Sequence, residues 1–286
     1  MQGAIGTAVV LLKLRIGAAV AFGALAGMLA AGPTVPAGRA FAFTLAVLGA
    51  SAAAGGFNHY HERDTDRLMR RTRRRPFADG TLRPGPVWPA TFLGLLAASL
   101  LLAYVSGGGV ATLLVFLGAL TYGVVYTIWL KRRTAWNIVI GGAAGSFAVL
   151  AGAAAVSPGI GWAPAILAVV LFLWTPPHFW ALAAARGEDY RHAGIPMLPV
   201  LVPPRIWAPV ILAHTVALAL LSMVPLWHGL GLAYGVLAGT GGVYFAWRAV
   251  QLWREPSPAR AIATFRASLL QFALLAGGVV LDAVLR

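Results

Sequence analysis

Phe41-Ala-Phe-Thr-Leu-Ala-Val-Leu-Gly-Ala-Ser-Ala-Ala-Ala-Gly-Gly-Phe57 runs without a charge into Asn58-His-Tyr-His-Glu62-Arg-Asp64-Thr-Asp66, and then into Arg67-Leu-Met-Arg70-Arg71-Thr-Arg73-Arg74-Arg75-Pro76. An apolar run of this length that stops at a dense polar block reads as a helix crossing a bilayer and opening at its surface. Positions 58–76 are nineteen residues, yet they hold three of the eight acidic residues and seven of the twenty arginines. Carboxylates beside a cationic run, at the edge of an apolar segment, suit capture of a divalent metal and a phosphorylated ligand.

The rest of the chain extends this reading. Its 286 residues are 59% hydrophobic and 10% charged, with a mean hydropathy of +0.80. A soluble domain of that size has too little interior to hide so much apolar surface. The pattern predicts nine spans, at 16–32, 40–57, 88–106, 109–130, 137–156, 161–184, 206–226, 229–247 and 267–285. Each is expected to be helical, because the bilayer interior offers no water to backbone groups. The expected fold is all-α: a polytopic integral membrane protein of about nine transmembrane helices, with 1–286 forming one membrane-embedded domain.

Charge placement orients the bundle. One side carries Lys13 and Arg15, eight arginines of loop 2–3 (63, 67, 70, 71, 73, 74, 75 and 83), Lys131, Arg132 and Arg133 of loop 4–5, Arg186, Arg191 and Arg205 of loop 6–7, and Arg248, Arg254, Arg260 and Arg266 around loop 8–9. The other side carries only Arg39 and Arg286. Such asymmetry places the N-terminus in the cytoplasm and the C-terminus outside. It also accounts for the net charge of +14 without nucleic acid as a partner. With no cysteine, disulfides, thiolate metal sites and a cysteine nucleophile are excluded. Lys13 and Arg15 follow the first short apolar run, unlike a secretory leader, so the inner (cytoplasmic) membrane of a bacterium or archaeon is the expected location.

Seven of the eight acidic residues fall in the expected cytoplasmic loops, so the chemistry belongs to that face. If span two continues as a helix, Asn58, Glu62 and Asp66 fall one turn apart within an arc of about 80°, while Asp64 points away. Stacked oxygen donors suit magnesium, which bridges protein carboxylates and substrate phosphates. Arg70, Arg71, Arg73, Arg74 and Arg75 offer forked donors to a diphosphate, and Lys131 and Arg132 form a second clamp. The structural alternative is a solvated, mutually paired helix end against anionic lipid. Tyr122 and Tyr126 share a face that can cover a reacting carbon, although aromatic residues also belong to interfacial belts. In Trp174-Thr-Pro-Pro-His178-Phe-Trp180 the paired prolines are expected to break the helix and line a cavity. There His178, beside Trp174, ligates an iron porphyrin, receives a proton, or packs as a satisfied core residue.

At these residues the chain resembles the UbiA superfamily of membrane prenyltransferases and, within it, the branch that makes haem O. The N-x-x-x-D-x-x-x-D pattern of that superfamily stands here as Asn58, Glu62 and Asp66, with glutamate in the middle place. The D-x-x-x-D pattern is broken: Asp189 is present, but Ala185 stands four before it. The segment from Trp174 to Leu182, with Asp189-Tyr190 and Ile195-Pro-Met-Leu-Pro-Val200, is similar to the signature of the haem branch. Lys13-Leu-Arg15 (without the proline expected after the lysine), Arg71 to Pro76, Lys131-Arg-Arg-Thr134 and Phe265-Arg-Ala-Ser268 agree with that branch.

The resemblance implies a UbiA-type bundle around a central cavity open to the cytoplasm. It implies transfer of a farnesyl group from farnesyl diphosphate to a vinyl group of haem B (protohaem IX), giving haem O for terminal oxidases. Mg2+ would be the cofactor, held by Asn58, Glu62, Asp66 and Asp189. Lys131 would act with these residues, and Arg71, Arg75, Lys131 and Arg132 would bind diphosphate. Tyr122 and Tyr126 would border the prenyl chain, and His178 and Trp174 the haem. Haem B is then a substrate, the bilayer the surroundings, and haem A synthase or oxidase-assembly proteins the candidate partners. Two alternatives stay open: prenylation of an aromatic quinone precursor or another tetrapyrrole, and a non-catalytic haem-handling membrane protein.

Overall fold

A computed structural model of the chain describes residues 3–32 and 35–286, and among these every regular element is helical. A short α1 (Ala4–Leu11) precedes α2 (Leu14–Ala31) and α3 (Ala37–His61). The polar block holds a one-turn α4 (Arg63–Arg67). Next come α5 (Val87–Leu120), a π-helical segment (Thr121–Leu130), α6 (Asn137–Val156) and α7 (Trp162–Ala185). Short α8 (Gly187–His192) and α9 (Leu198–Leu201) lead into α10 (Pro204–Leu221), α11 (Leu232–Arg254) and α12 (Pro258–Leu285).

Among the described residues, seven helical runs are long and apolar enough to cross a membrane. The run Val87–Leu130 has 44 residues. Drawn straight it would reach about 66 Å at 1.5 Å per residue, some two bilayer cores of about 30 Å. It doubles back instead. On the way out Phe92 lies against Gly56, Ser99 against Gly49 and Gly107 against Phe43; on the return Gly123 lies against Phe57. The reversal sits at Gly108, with φ 82° and ψ 179°, a conformation open essentially to glycine alone. Counting this hairpin as two passes, and adding the less apolar α11 that packs between α10 and α12, gives nine passes.

The first five passes (α2, α3, the two arms of the hairpin, and α6) share one apolar core. The last four (α7, α10, α11 and α12) build the rest, and the halves meet where α6 packs on α7 and α2 on α12. At the crossing of α2 and α6, Gly27 faces the Val149 backbone and Gly152 faces the Ala24 backbone so closely that neither position has room for a Cβ. Small residues allow this approach, which bilayer helices need because lipid supplies no hydrophobic drive between them.

Four sequence expectations are corrected. The last pass begins at Pro258 rather than at 267, so Arg260 and Arg266 are helical and the preceding loop is short. The basic stripe is read as loop from sequence because charges lower hydropathy, even where the helix extends beyond the membrane. Pro176 and Pro177 do not break α7, which runs through both. Each proline removes one N–H from the helical ladder, but neighbouring helices and side chains keep a membrane helix intact around such a gap. Thr175 immediately before them bonds the Leu171 carbonyl at 3.0 Å. The return arm ends as a ten-residue π-helix rather than an α-helix, with the Lys131 N–H reaching the Tyr126 carbonyl at 2.9 Å. Finally, the Asn58–Asp66 stretch changes direction at Glu62 (φ −90°, ψ 4°), between α3 and α4.

Candidate active site

The turn at Glu62 leaves the helical register intact. The Glu62 N–H bonds the Asn58 carbonyl at 2.9 Å and the Asp66 N–H bonds the Glu62 carbonyl at 2.8 Å. Asn58, Glu62 and Asp66 are therefore stacked on one face, and all three are buried, at 1%, 6% and 2% exposure. Asp64 points to solvent, as its register predicts. Burying carboxylates in an apolar bundle is costly without charge compensation, and each has a cation.

Asp66 takes both its oxygens to Arg75 Nη1, at 2.9 and 2.8 Å. The loop after α4 folds back to allow this: Thr72 Oγ1 donates to the Asp66 carbonyl, Arg67 Nε to the Ala78 carbonyl, and Phe77 is driven into an aromatic column with Tyr60 and Trp88. Glu62 pairs with Lys131 Nζ at 2.5 Å. Burial pushes the Glu62 carboxyl up, but Lys131, Lys13 and Arg75 together outweigh it and hold it below the usual carboxylate range.

Asn58 Nδ2 donates to Thr127 Oγ1 at 2.9 Å, and its Oδ1 accepts from Lys13 Nζ. Lys13 also donates to the Tyr122 hydroxyl at 2.8 Å. Sequence alone gives Lys13 a part in the charge asymmetry and in a family-like stretch; the fold adds it to this cluster. It adopts a left-handed backbone (φ 48°, ψ 40°) between α1 and α2, a conformation that costs a non-glycine residue about 1–3 kcal/mol. Gly55 lies one turn before the Asn58–His59 level of α3, and its missing side chain leaves room for the Lys13 stem. Burial carries the Lys13 ammonium well below the usual lysine range, with Arg75 and Lys131 adding to the shift against Glu62 and Asp66.

Aromatic rings close one side. Tyr122 and Tyr126 stack with centroids 5.7 Å apart, Lys13 lies 5.4 Å from the Tyr122 ring and Lys131 lies 5.6 Å from the Tyr126 ring. The wider turn of the π-helix still sets the two tyrosines face to face. Gly141 of α6 lies against Tyr126, and Gly142 against Thr175 of α7. One turn from Thr175, His178 is buried beside Trp174, at a centroid distance of 4.2 Å. α6 thus touches the tyrosine wall of the charged cluster at Gly141 and the helix that carries His178 at Gly142.

The fourth predicted metal ligand, Asp189, lies on α8, is buried, and accepts the Arg70 N–H at 3.3 Å. This ties the segment after α7 to the arginine loop. Asn137 is fully buried and joins the loop at Thr134 to the Pro196 carbonyl. Arg71 and Arg132 are exposed, while Arg75 and Lys131 are inside the cluster.

The donors fit a hard divalent ion in one particular way. Asn58, Glu62, Asp66 and Asp189 supply only oxygen ligands, the set magnesium prefers. Among the described residues, no three His, Asp or Glu side chains gather into a ready-made metal cage. Magnesium seldom uses such a cage; it binds through one or two carboxylates together with substrate phosphates. Lys13, Lys131 and Arg75 converge on Asn58, Glu62 and Asp66, and such convergent cations suit a polyanionic ligand bound together with the metal.

A sequence model of the UbiA prenyltransferase family matches residues 20–274. The chain is 52% identical to "Protoheme IX farnesyltransferase 2" of Paramagnetospirillum magneticum, over 96% of this chain and 95% of that protein. It is 46% identical to "Protoheme IX farnesyltransferase 1" of the same organism, over 93% and 94% of the two chains. Among solved structures, a UbiA homologue from Archaeoglobus fulgidus bound to GPP and Mg2+ superposes with a TM-score of 0.71 at 18% identity, covering 96% of this chain and 99% of that one.

Proposed function

The chain belongs to the UbiA prenyltransferase family, and on that premise we propose that it transfers a farnesyl group from farnesyl diphosphate to a vinyl group of protohaem IX, releasing diphosphate and giving haem O. The observation that carries the chemistry is the buried, in-register Asn58–Glu62–Asp66 row with Lys13, Lys131 and Arg75 set against it. The choice of acceptor rests on the near full-length likeness to proteins named as protohaem farnesyltransferases.

Each group has a task in this reading. Lys13, Lys131 and Arg75 leave their carboxylate or amide partners to meet the diphosphate, with Arg71 and Arg132 guiding the anion from the exposed side. Asp66, Glu62, Asn58 and Asp189 would hold Mg2+ against the diphosphate, where it supplies charge neutralisation to the leaving group. Stabilising charge as the allylic C–O bond breaks is the main catalytic demand. The tyrosine pair Tyr122–Tyr126 presents ring faces to the allylic cation, a contact worth about 0.5–2 kcal/mol. The haem vinyl group then forms the new C–C bond, water adds at the adjacent carbon, and its proton is lost to solvent. His178 and Trp174 orient the haem. The apolar bundle keeps bulk water from the cation, which would otherwise hydrolyse.

We place the end carrying Lys13, Asp66, Lys131 and Asp189 at the cytoplasmic side of an inner membrane, because nearly all Lys and Arg lie there. The whole chain, 1–286, is read as one membrane-embedded domain, and haem A synthase or oxidase-assembly proteins are the expected recipients. The acceptor is tested by offering protohaem IX and an aromatic quinone precursor to the same purified sample with farnesyl diphosphate. Prenylation of the haem alone supports the reading; prenylation of the aromatic acid alone refutes the acceptor while sparing the family chemistry.

A further inference from the structure

His178 lies on α7 opposite Ser268 of α12, deep in the bundle, and both side chains are buried. His178 Nδ1 and Ser268 Oγ are 2.6 Å apart. Ser268 Oγ is also 2.6 Å from the Phe265 carbonyl oxygen. A hydroxyl has one proton to give. Two oxygens at 2.6 Å repel unless that proton lies between them, so the serine proton belongs to the Phe265 carbonyl. The serine oxygen can then only accept from the imidazole, and Nδ1 must carry a hydrogen.

This fixes one tautomer. The Nε2 lone pair is left without a hydrogen-bond partner among the described residues, and Nε2 is not among the enclosed unpartnered atoms. The ring itself is held. Trp174 stacks on it at 4.2 Å and 18°, and Phe265 lies at 4.6 Å and 32°. These two rings, with Phe179 perpendicular at 4.8 Å and 88°, hold the imidazole plane in place. Ser268 is itself anchored, because its carbonyl accepts Trp174 Nε1–H at 2.9 Å. An imidazole with Nδ1–H bonded to an oxygen acceptor and Nε2 free is the form that binds a metal, the hydrogen bond raising ligand basicity and setting ring orientation.

We propose that Ser268 is a positioning residue for the acceptor substrate: by accepting from Nδ1–H it presents His178 Nε2 as the ligand to the protohaem iron. This rests on the reading of protohaem IX as acceptor. The iron–nitrogen bond would fix the distance and tilt of the macrocycle, and hence which vinyl edge faces the farnesyl carbon. The packing interpretation, in which Ser268 merely fills space between α7 and α12, predicts no effect on the iron.

The test is resonance Raman spectroscopy and haem titration on the purified full-length protein with ferrous protohaem IX, with farnesyl transfer measured on the same samples. Wild type is expected to show an iron–histidine stretch that His178→Ala lacks. Ser268→Ala should move that stretch to lower frequency and weaken haem affinity by about tenfold, the usual loss on removing a partner of a metal-bound histidine. Ser268→Thr, which keeps the oxygen, should restore both and serves as the second variant if the alanine protein folds poorly. An unchanged stretch and affinity in Ser268→Ala, or a retained stretch in His178→Ala, overturns the proposal. A wild type that farnesylates haem without any iron–histidine stretch also overturns it and leaves the proposed function standing. Monodisperse protein that neither binds nor farnesylates haem removes both.

Discussion

Lys131, at the end of the π-helical segment, donates to Glu62 at 2.5 Å, and so locks the return arm of the hairpin to the bend between α3 and α4. Both partners are largely buried, with side chains 15% and 6% exposed. Removing one partner leaves a buried charge uncompensated. Lys131→Met should therefore lower unfolding stability by about 3–5 kcal/mol. Glu62→Gln in the same chain should recover much of that loss. Thermal unfolding in detergent across the double-mutant cycle measures the coupling, and simple additivity of the two changes would contradict it.

The same pair sets an acid limit. Glu62 has a folded-state value below its unfolded one, because Lys131, Lys13 and Arg75 outweigh burial. Its contribution is complete above the unfolded value near 4.5 and is lost as pH falls through the lower folded value. Unfolding temperature should thus fall on acidification within the carboxylate range. Glu62→Gln should flatten that part of the profile. An identical acid profile in the variant would mean that Glu62 is not the group responsible.

Asp66 holds Arg75 through both oxygens. In the proposed reaction each has a separate duty to metal and diphosphate. Asp66→Asn keeps the shape and removes the charge. It should reduce farnesyl transfer by about a hundredfold or more, the scale seen when one preorganised electrostatic contact to the reacting centre is removed. The protein should remain monodisperse. Turnover within a few-fold of wild type would remove Asp66 from the metal role.

The stacked tyrosines are separable by chemistry. Tyr126→Phe keeps the ring face and should leave transfer near wild type, whereas Tyr126→Leu should slow it about two- to thirtyfold, the span of one cation–π contact. Equal effects of the two substitutions would show that the hydroxyl or the packing matters instead. Single-turnover rates at saturating farnesyl diphosphate are the measurement, since they report the step at which the cation forms.

Much of this arrangement is legible in the sequence. The nine passes follow from hydropathy, and the two-pass reading of 88–130 depends on the Ser106-to-Gly109 stretch, where the hairpin turns at Gly108. The row Asn58, Glu62, Asp66 follows from helical spacing alone, and it survives the bend at Glu62 because the hydrogen-bond ladder continues across it. Lys13 is the clearest residue whose role stays hidden. Its partner Asn58 lies 45 positions away, and a lysine before a first span ordinarily signals orientation. Only the fold brings its left-handed backbone against Gly55. The prolines of α7 mislead for a related reason: their local preference is for a break, and the tertiary surroundings of α7 override it. Ser268 stands in the sequence only as the end of the family-like Phe265–Ser268 stretch, and its role comes from a contact with His178, 90 positions away.

Mass analysis of the haem identifies the reaction, after the purified protein is incubated with protohaem IX, farnesyl diphosphate and Mg2+, with and without a chelator. The expected product is a haem whose vinyl group has gained one farnesyl group and one hydroxyl group, formed with magnesium and lost with chelator. Unchanged haem from monodisperse protein that prenylates an aromatic acceptor under the same conditions would contradict it.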